Sequence, residues 1–324
     1  MSRETVASGS VESDRGSVER GDAPPRMRGA RLLARPVLRG LLIILVAFMG
    51  FITVLYAFQA SLIFPGAATQ GKSEAVARVG PGEELVRLAT DKGEVVALYG
   101  PALDANGHPL ADASSRPALV FFYGNAMCAA YCPPILEQFR RLGLNVMIPD
   151  YLGYGMSGGE ASEVGCRTTA EACYQHLLER GFPADRILVG GWSLGAAVAI
   201  DLASTRPVAG LFAFSAFTNL RDMARRLIPI PLPPALFAHK FDNLSKIGGI
   251  SCPILLGHGR RDSIIPFAMF ERLAAAVEAP LSTLVVDDAD HNDFFDVGRE
   301  RIDAAIRDLV VRCVSSREGN ARDQ

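Results

Sequence analysis

Three hydropathy regimes follow one another along the chain. Residues 1–25 are rich in Ser, Gly, Glu, Arg and Asp and carry few large apolar side chains. Such a segment buries too little apolar surface to offset the entropy of ordering, so disorder is expected there. Arg26, Arg28, Arg31, Arg35 and Arg39 follow with no acid among them, and then no charged residue occurs from Gly40 to Gly71. Within that stretch Leu41–Phe64 is almost wholly apolar. About 20 apolar residues cross a bilayer core, so a transmembrane anchor is predicted over 40–64. A buried globular helix fits less well, because the run is too long and too evenly apolar. A cleaved signal peptide is the other alternative. Its apolar core is usually only about 7–15 residues, and Gly66-Ala67-Ala68 is a weak cleavage site.

From residue 83 the pattern switches to short apolar runs. Glu84–Ala89 and Glu94–Tyr99 flank Asp91-Lys92-Gly93, a hairpin signal. Strands are predicted at Ala118–Tyr123, Asn145–Asp150, Arg186–Gly191, Val208–Phe214, Pro253–Leu256 and Ser282–Asp287. Helices are predicted at Pro133–Leu142, Thr168–Arg180, Leu194–Ser204, Phe267–Val277 and Gly298–Val311. Strands alternating with helices imply an α/β fold, with a mostly parallel central sheet and helices on both faces. The stretch Leu220–Gly249 breaks the alternation and holds Pro229, Pro231, Pro233 and Pro234. It reads as an insertion, either a cap over a site or a plain surface loop. The organisation expected is a tail at 1–39, the anchor at 40–64, one α/β domain at 65–315 with a cap at about 219–249, and a tail at 316–324.

Composition sharpens this in a few places. The net charge is −2 over 324 residues, with no basic stripe, so no nucleic-acid partner is expected. The arginines lie before the span, whereas Lys72 and Glu74 are the first charges after it. The positive-inside rule then leaves the N-terminus in the cytoplasm and the α/β domain on the periplasmic or extracytoplasmic side. Six cysteines are too few for a disulfide framework in a chain this long. Cys128 and Cys132 either pair in an oxidising compartment or stay unlinked. No set of four ligands at metal spacing occurs, and neither metal nor cofactor is expected.

The candidate chemistry centres on Gly191-Trp192-Ser193-Leu194-Gly195. It matches G-x-S-x-G between an apolar strand and a helix, the context in which a tight turn lifts a serine hydroxyl out of a sheet. A hydroxyl of this kind needs a base within hydrogen-bond reach. Of the five histidines, His291 lies after the last strand, where the order Ser…Asp…His puts the base. Asp262 follows the strand Pro253–Leu256 and is the candidate acid; Asp287, Asp288, Asp290 and Asp293 compete with it. Two backbone N–H donors would hold an oxyanion: Leu194, just after the serine, and Asn125, in the loop after Ala118–Tyr123.

Together these segments resemble the α/β-hydrolase superfamily, in the membrane-anchored branch that includes the fungal bud-emergence hydrolase and the mammalian abhydrolase-domain proteins with one N-terminal anchor. The resemblance rests on Tyr123-Gly124-Asn125-Ala126, Asp150-Tyr151-Leu152-Gly153-Tyr154-Gly155-Met156-Ser157, Ser215–Leu220, Lys240–Leu244, His258–Asp262 with Pro266-Phe267, and His291-Asn292-Asp293. It implies a serine hydrolase that cleaves ester, thioester or lipid acyl bonds through Ser193, with a small-molecule or lipid acyl substrate. An aminopeptidase-like peptidase is the alternative; it would need a cap carboxylate for a free amine, with Asp222 or Asp242 as candidates. A non-catalytic scaffold on the same fold is the third. Two positions depart from the branch: Tyr123 replaces its usual histidine and Asp290 its usual glycine. Oligomeric state is not legible.

Overall fold

The computed structural model describes residues 29–228 and 233–320. The expected tail at 1–28, residues 229–232 of the insertion and 321–324 lie outside the described residues. The chain divides into two units, Met1–Thr53 and Val54–Gln324.

The first unit contains most of α1 (Gly29–Ile63). Its stretch Pro36–Ile63, 28 residues of mean hydropathy 2.7, is long and apolar enough to cross a membrane. At 1.5 Å per residue it reaches about 42 Å, more than a hydrocarbon core of about 30 Å. The helix starts upstream of residue 40, where the sequence reading began the anchor. Alanine, leucine and arginine are good helix formers, and nothing in Ala30–Arg35 breaks a helix.

The second unit is built on one eight-stranded sheet: β1 (Glu84–Thr90), β2 (Gly93–Gly100), β3 (Ala118–Phe122), β4 (Asn145–Pro149), β5 (Ile187–Trp192), β6 (Gly210–Phe214), β7 (Ile254–Gly259) and β8 (Leu281–Val286), in the order β1-β2-β4-β3-β5-β6-β7-β8. The pairs β1–β2 and β2–β4 are antiparallel, and the other five are parallel. This is the mostly parallel α/β sheet expected from the alternation. Every residue of β3, β4 and β6 is buried, as continuous apolar runs covered on both faces must be. Phe121, Phe122, Phe212 and Phe214 fill the centre.

Helices α2 (Pro133–Arg141), α3 (Glu163–Glu179), α4 (Leu194–Thr205), α7 (Phe267–Ala276) and α8 (Phe294–Asn320) carry the chain between or past strands. Two helices depart most from expectation. α3 begins at Glu163 rather than Thr168, because Ser162 Oγ accepts from Gly165 N–H at 2.9 Å and caps the first turn. α8 begins at Phe294 rather than Gly298 and runs to Asn320, so 316–320 is helix where a tail was expected. The insertion between β6 and β7 holds α5 (Leu220–Leu227), capped by Asn219, and α6 (Asn243–Ile247), capped by Asp242.

The topology itself selects a crevice. From β3 the chain moves outward to β4, then crosses back to the far side of β3 as β5. The loops after β3 and β5 therefore diverge, and sheets of this kind bind ligands at that switch point.

Candidate active site

Ser193 stands at the switch point, between the last residue of β5 and the first of α4. Its backbone has φ 59° and ψ −118°, a region non-glycine residues avoid. Holding it there costs about 1–3 kcal/mol, and the surrounding structure has to overrule that strain. The glycines of the motif explain how. A Cβ on Gly195 would collide with the carbonyl of Phe122 in β3, and one on Gly191 with the backbone of Gly195. Only bare backbone lets the turn close this tightly.

Three side chains far apart in sequence meet here. His291 Nε2 lies 3.0 Å from Ser193 Oγ, and His291 Nδ1 lies 2.7 Å from Asp262 Oδ2. A carboxylate only accepts, so Nδ1 carries the proton and Nε2 is bare to accept from the serine hydroxyl. Asp262 sits just beyond β7 and His291 beyond β8, both at the carboxyl ends of parallel strands. All three are buried, with Asp262 7% and His291 3% exposed, so little water competes for these bonds. Asp262 Oδ1 is itself fixed by the N–H groups of Ile264 (3.0 Å) and Ile265 (2.6 Å). The competing carboxylates are engaged elsewhere: Asp287 with Arg260 and Asp288 with Arg261. Asp290 accepts from Ser263 N–H (2.7 Å), Ser263 Oγ (3.0 Å) and His291 N–H (2.6 Å), and its own N–H donates to Asp293. It is a latch between the Asp262 and His291 loops. Those backbone hydrogen bonds, from Ser263 first and His291 next, hold its carboxyl below the usual range.

Opposite the base lies the loop after β3. Leu194 is the first residue of α4, so its N–H has no partner within the helix. The Asn125 carbonyl accepts from Gly66 N–H (2.9 Å) and Tyr154 Oη (3.0 Å). Behind this loop is Asp150, wholly buried, whose Oδ1 accepts from Tyr123 Oη (2.8 Å) and Ala129 N–H (2.7 Å) and whose Oδ2 accepts from Met156 N–H (2.9 Å). Burial raises its carboxyl above the usual value, while these bonds oppose the shift. Tyr123 thus supports the loop from behind: its hydroxyl meets Asp150, and its carbonyl accepts from Tyr151 Oη at 2.7 Å. Cys128 and Cys132 are buried, unlinked thiols beside this loop, both raised by burial.

Sequence reasoning passes over several of these residues. Trp192, the variable position of the motif, lays its ring against His291 with centroids 5.0 Å apart. His258, whose place in the chain suggests packing alone, lies with Nε2 3.4 Å from Asp262 Oδ2 and 3.0 Å from the Ile265 carbonyl. Its only sequence signal is its position four residues before the acid. The candidate amine-binding carboxylates are taken. Asp222 accepts from Thr218 and Arg272 at 2.8 and 2.7 Å, and Asp242 caps α6. A groove of about 820 Å³ beside Arg87, Glu171 and Arg206 lies elsewhere, with none of Ser193, Asp262 and His291 in its lining.

This sheet order and nucleophile turn define an α/β hydrolase. Residues 166–294, which contain the serine, the aspartate and the histidine, match the phospholipase/carboxylesterase family model. An uncharacterized protein of Mycobacterium tuberculosis is 33% identical over 82% of this chain and 92% of its own length. The bem46 protein of Schizosaccharomyces pombe is 30% identical over 65% of this chain and 72% of its own. The Pyrococcus furiosus esterase Pf2001 shares the fold, with a TM-score of 0.59 at 20% identity over 73% of this chain and 96% of that one. The chain belongs to the α/β-hydrolase superfamily.

Proposed function

We propose that the protein is a membrane-anchored serine hydrolase that cleaves carboxylic ester, thioester or lipid acyl bonds through an acyl-enzyme on Ser193. The observation that carries this reading is the continuous hydrogen-bonded path Ser193 Oγ–His291–Asp262, at 3.0 and 2.7 Å, on a strained turn. Ser193 Oγ attacks the carbonyl carbon while its proton passes to His291 Nε2. Asp262 stabilises the imidazolium and keeps the ring in register. The N–H groups of Leu194 and Asn125 receive the oxyanion. Collapse of the tetrahedral intermediate expels an alkoxide or thiolate, which takes the proton from Nε2. Water then repeats the sequence on the acyl-enzyme and frees the acid.

The α1 anchor and the apolar insertion favour acyl substrates. In sequence Leu227–Phe237 is apolar and proline-rich, which suits an acyl chain as well as packing within the insertion, and the arginines before Leu41 favour a hydrolase domain outside the cytoplasm. A peptidase reading lacks its amine anchor, since Asp222 is already committed to Arg272.

The test is fluorophosphonate labelling followed by an ester panel of rising chain length. Wild type is labelled and Ser193→Ala is not, with turnover falling by about 10⁴ or more. Labelling that survives in Ser193→Ala ends the proposal.

A further inference from the structure

The end of the membrane helix does more than tether the domain. Ile63 is the last residue of α1, so its carbonyl has no partner within the helix. The Asn125 side chain supplies one: Nδ2 donates to Ile63 O at 3.3 Å. Three residues on, Gly66 N–H donates to the Asn125 carbonyl at 2.9 Å. The same asparagine is thus gripped through its side chain and its backbone by consecutive parts of one segment. Gly66 is buried, and a Cβ there would overlap the Tyr154 ring and press on the Asn125 carbonyl at 2.8 Å. The segment is also secured beyond this point, because Thr69 Oγ1 accepts from Gly155 N–H at 3.0 Å and Gly71 N–H donates to Gly155 O at 2.9 Å. On its other side Phe64, 1% exposed, packs edge-on against His239 of the insertion with ring centroids 5.1 Å apart.

The geometry points to Ile63–Gly66 as a positioning element of the active site, one that sets the Asn125 peptide so that its N–H faces the developing oxyanion. The physical reason is directional. The carbonyl and the side chain both branch from the Asn125 Cα, so holding the two together fixes where its backbone nitrogen sits and leaves the N–H only the rotation about N–Cα. Two hydrogen bonds to Gly66 and Tyr154 on the carbonyl and one from the side chain remove the freedom of that loop before substrate arrives. Oxyanion donors contribute most when they need no reorganisation during reaction. The anchor's exit from the helix is thereby part of the catalytic geometry, and Asn125 carries a side chain because the amide is needed behind the loop. This inference rests on the oxyanion role given to Asn125 above.

The test uses the full-length protein in detergent micelles. Asn125→Ala keeps the backbone N–H and removes only the grip on Ile63. The expected result is a fall in kcat of about ten- to a hundredfold with KM within about twofold. A boronic acid inhibitor, whose boron bonds Ser193 Oγ and leaves an oxygen at the oxyanion position, should lose affinity by the same factor as kcat/KM. Gly66→Ala disturbs the loop from the other side and should give the same split. A kcat within about twofold of wild type in Asn125→Ala overturns the inference, and so does a lowered kcat with unchanged boronic acid affinity. The underlying reading fails separately: turnover that persists in Ser193→Ala removes the nucleophile whatever Asn125 does.

Discussion

Two carboxylates tie loops together at the two sides of this site, the proposed acid–base side and the proposed oxyanion side, and they do it in opposite ways. Asp290, on the acid–base side, is solvent-facing, accepts mostly from nearby backbone, and is held below its usual pKa. Asp150, on the oxyanion side, is fully buried, accepts three hydrogen bonds from Tyr123, Ala129 and Met156, and is pushed up by burial. Water can replace any bond Asp290 loses. Nothing replaces those of Asp150, whose donors would be left unpaired in the core. On the proposed function, the acid–base side is then assembled from groups whose chemistry matters more than their contribution to folding. The oxyanion side is assembled from groups whose packing makes the chemistry possible.

The strongest test of this division is Asp262→Asn. The retained oxygen still accepts from the N–H groups of Ile264 and Ile265. The new amide faces His291 Nδ1 as a donor, so the imidazole takes the other tautomer and Nε2 no longer accepts from Ser193. Loss of about 10³–10⁴ in kcat is expected, with little change in Tm. A variant that keeps its rate would show that the aspartate does not set the tautomer.

Asp150→Ala against Asp290→Ala sharpens the contrast on the stability axis. Removing Asp150 orphans the Tyr123 hydroxyl and two backbone N–H groups, a loss of about 3–5 kcal/mol in urea unfolding. Removing Asp290 exposes the same kinds of donor to water and costs about 1 kcal/mol or less. Similar losses in the two variants would break the comparison.

The same division governs what could be read from the chain. The convergence of Ser193, Asp262 and His291 was legible because each follows the end of a parallel strand and so occupies a place the alternation predicts. The place of Asn125, in the loop after β3, was legible for the same reason. Asp150 also ends a strand, but its role depends on Tyr123, Ala129 and Met156, which reach it from different loops, and no periodicity records such a meeting. Gly66 gave no signal of its contact with the Asn125 loop. Its need for a bare backbone comes from a tyrosine 88 residues away in sequence, at Tyr154. The missed first turn of α3 was legible in principle from Ser162 as a cap. The insertion resisted for another reason: prolines remove hydrogen-bond donors without specifying where the chain goes instead.

A smaller effect separates the two sides by pH. His258 is wholly buried beside Asp262, donates through Nε2 to the Ile265 carbonyl, and leaves Nδ1 with no partner among the described residues. Burial lowers its pKa from the ordinary 6.5, against the pull of the Ile265 carbonyl and Asp262. The folded protein therefore holds this imidazole neutral while the unfolded chain protonates it below about pH 6.5. In that window the unfolded state binds more protons, so stability falls as pH falls, by up to about 1.4 kcal/mol per pH unit for one such group. His176 and His239 are lowered by burial as well and share the slope. Asp150 has the opposite sign: its raised pKa means that the folded state takes up a proton first on acidification, which partly offsets the loss at lower pH. Urea unfolding from about pH 7 to pH 5 should accordingly show a shallower decline in His258→Gln than in wild type. Parallel slopes would mean that the imidazole beside the acid is protonated as readily in the folded protein as in the open chain, and that acid does not reach the acid–base side first.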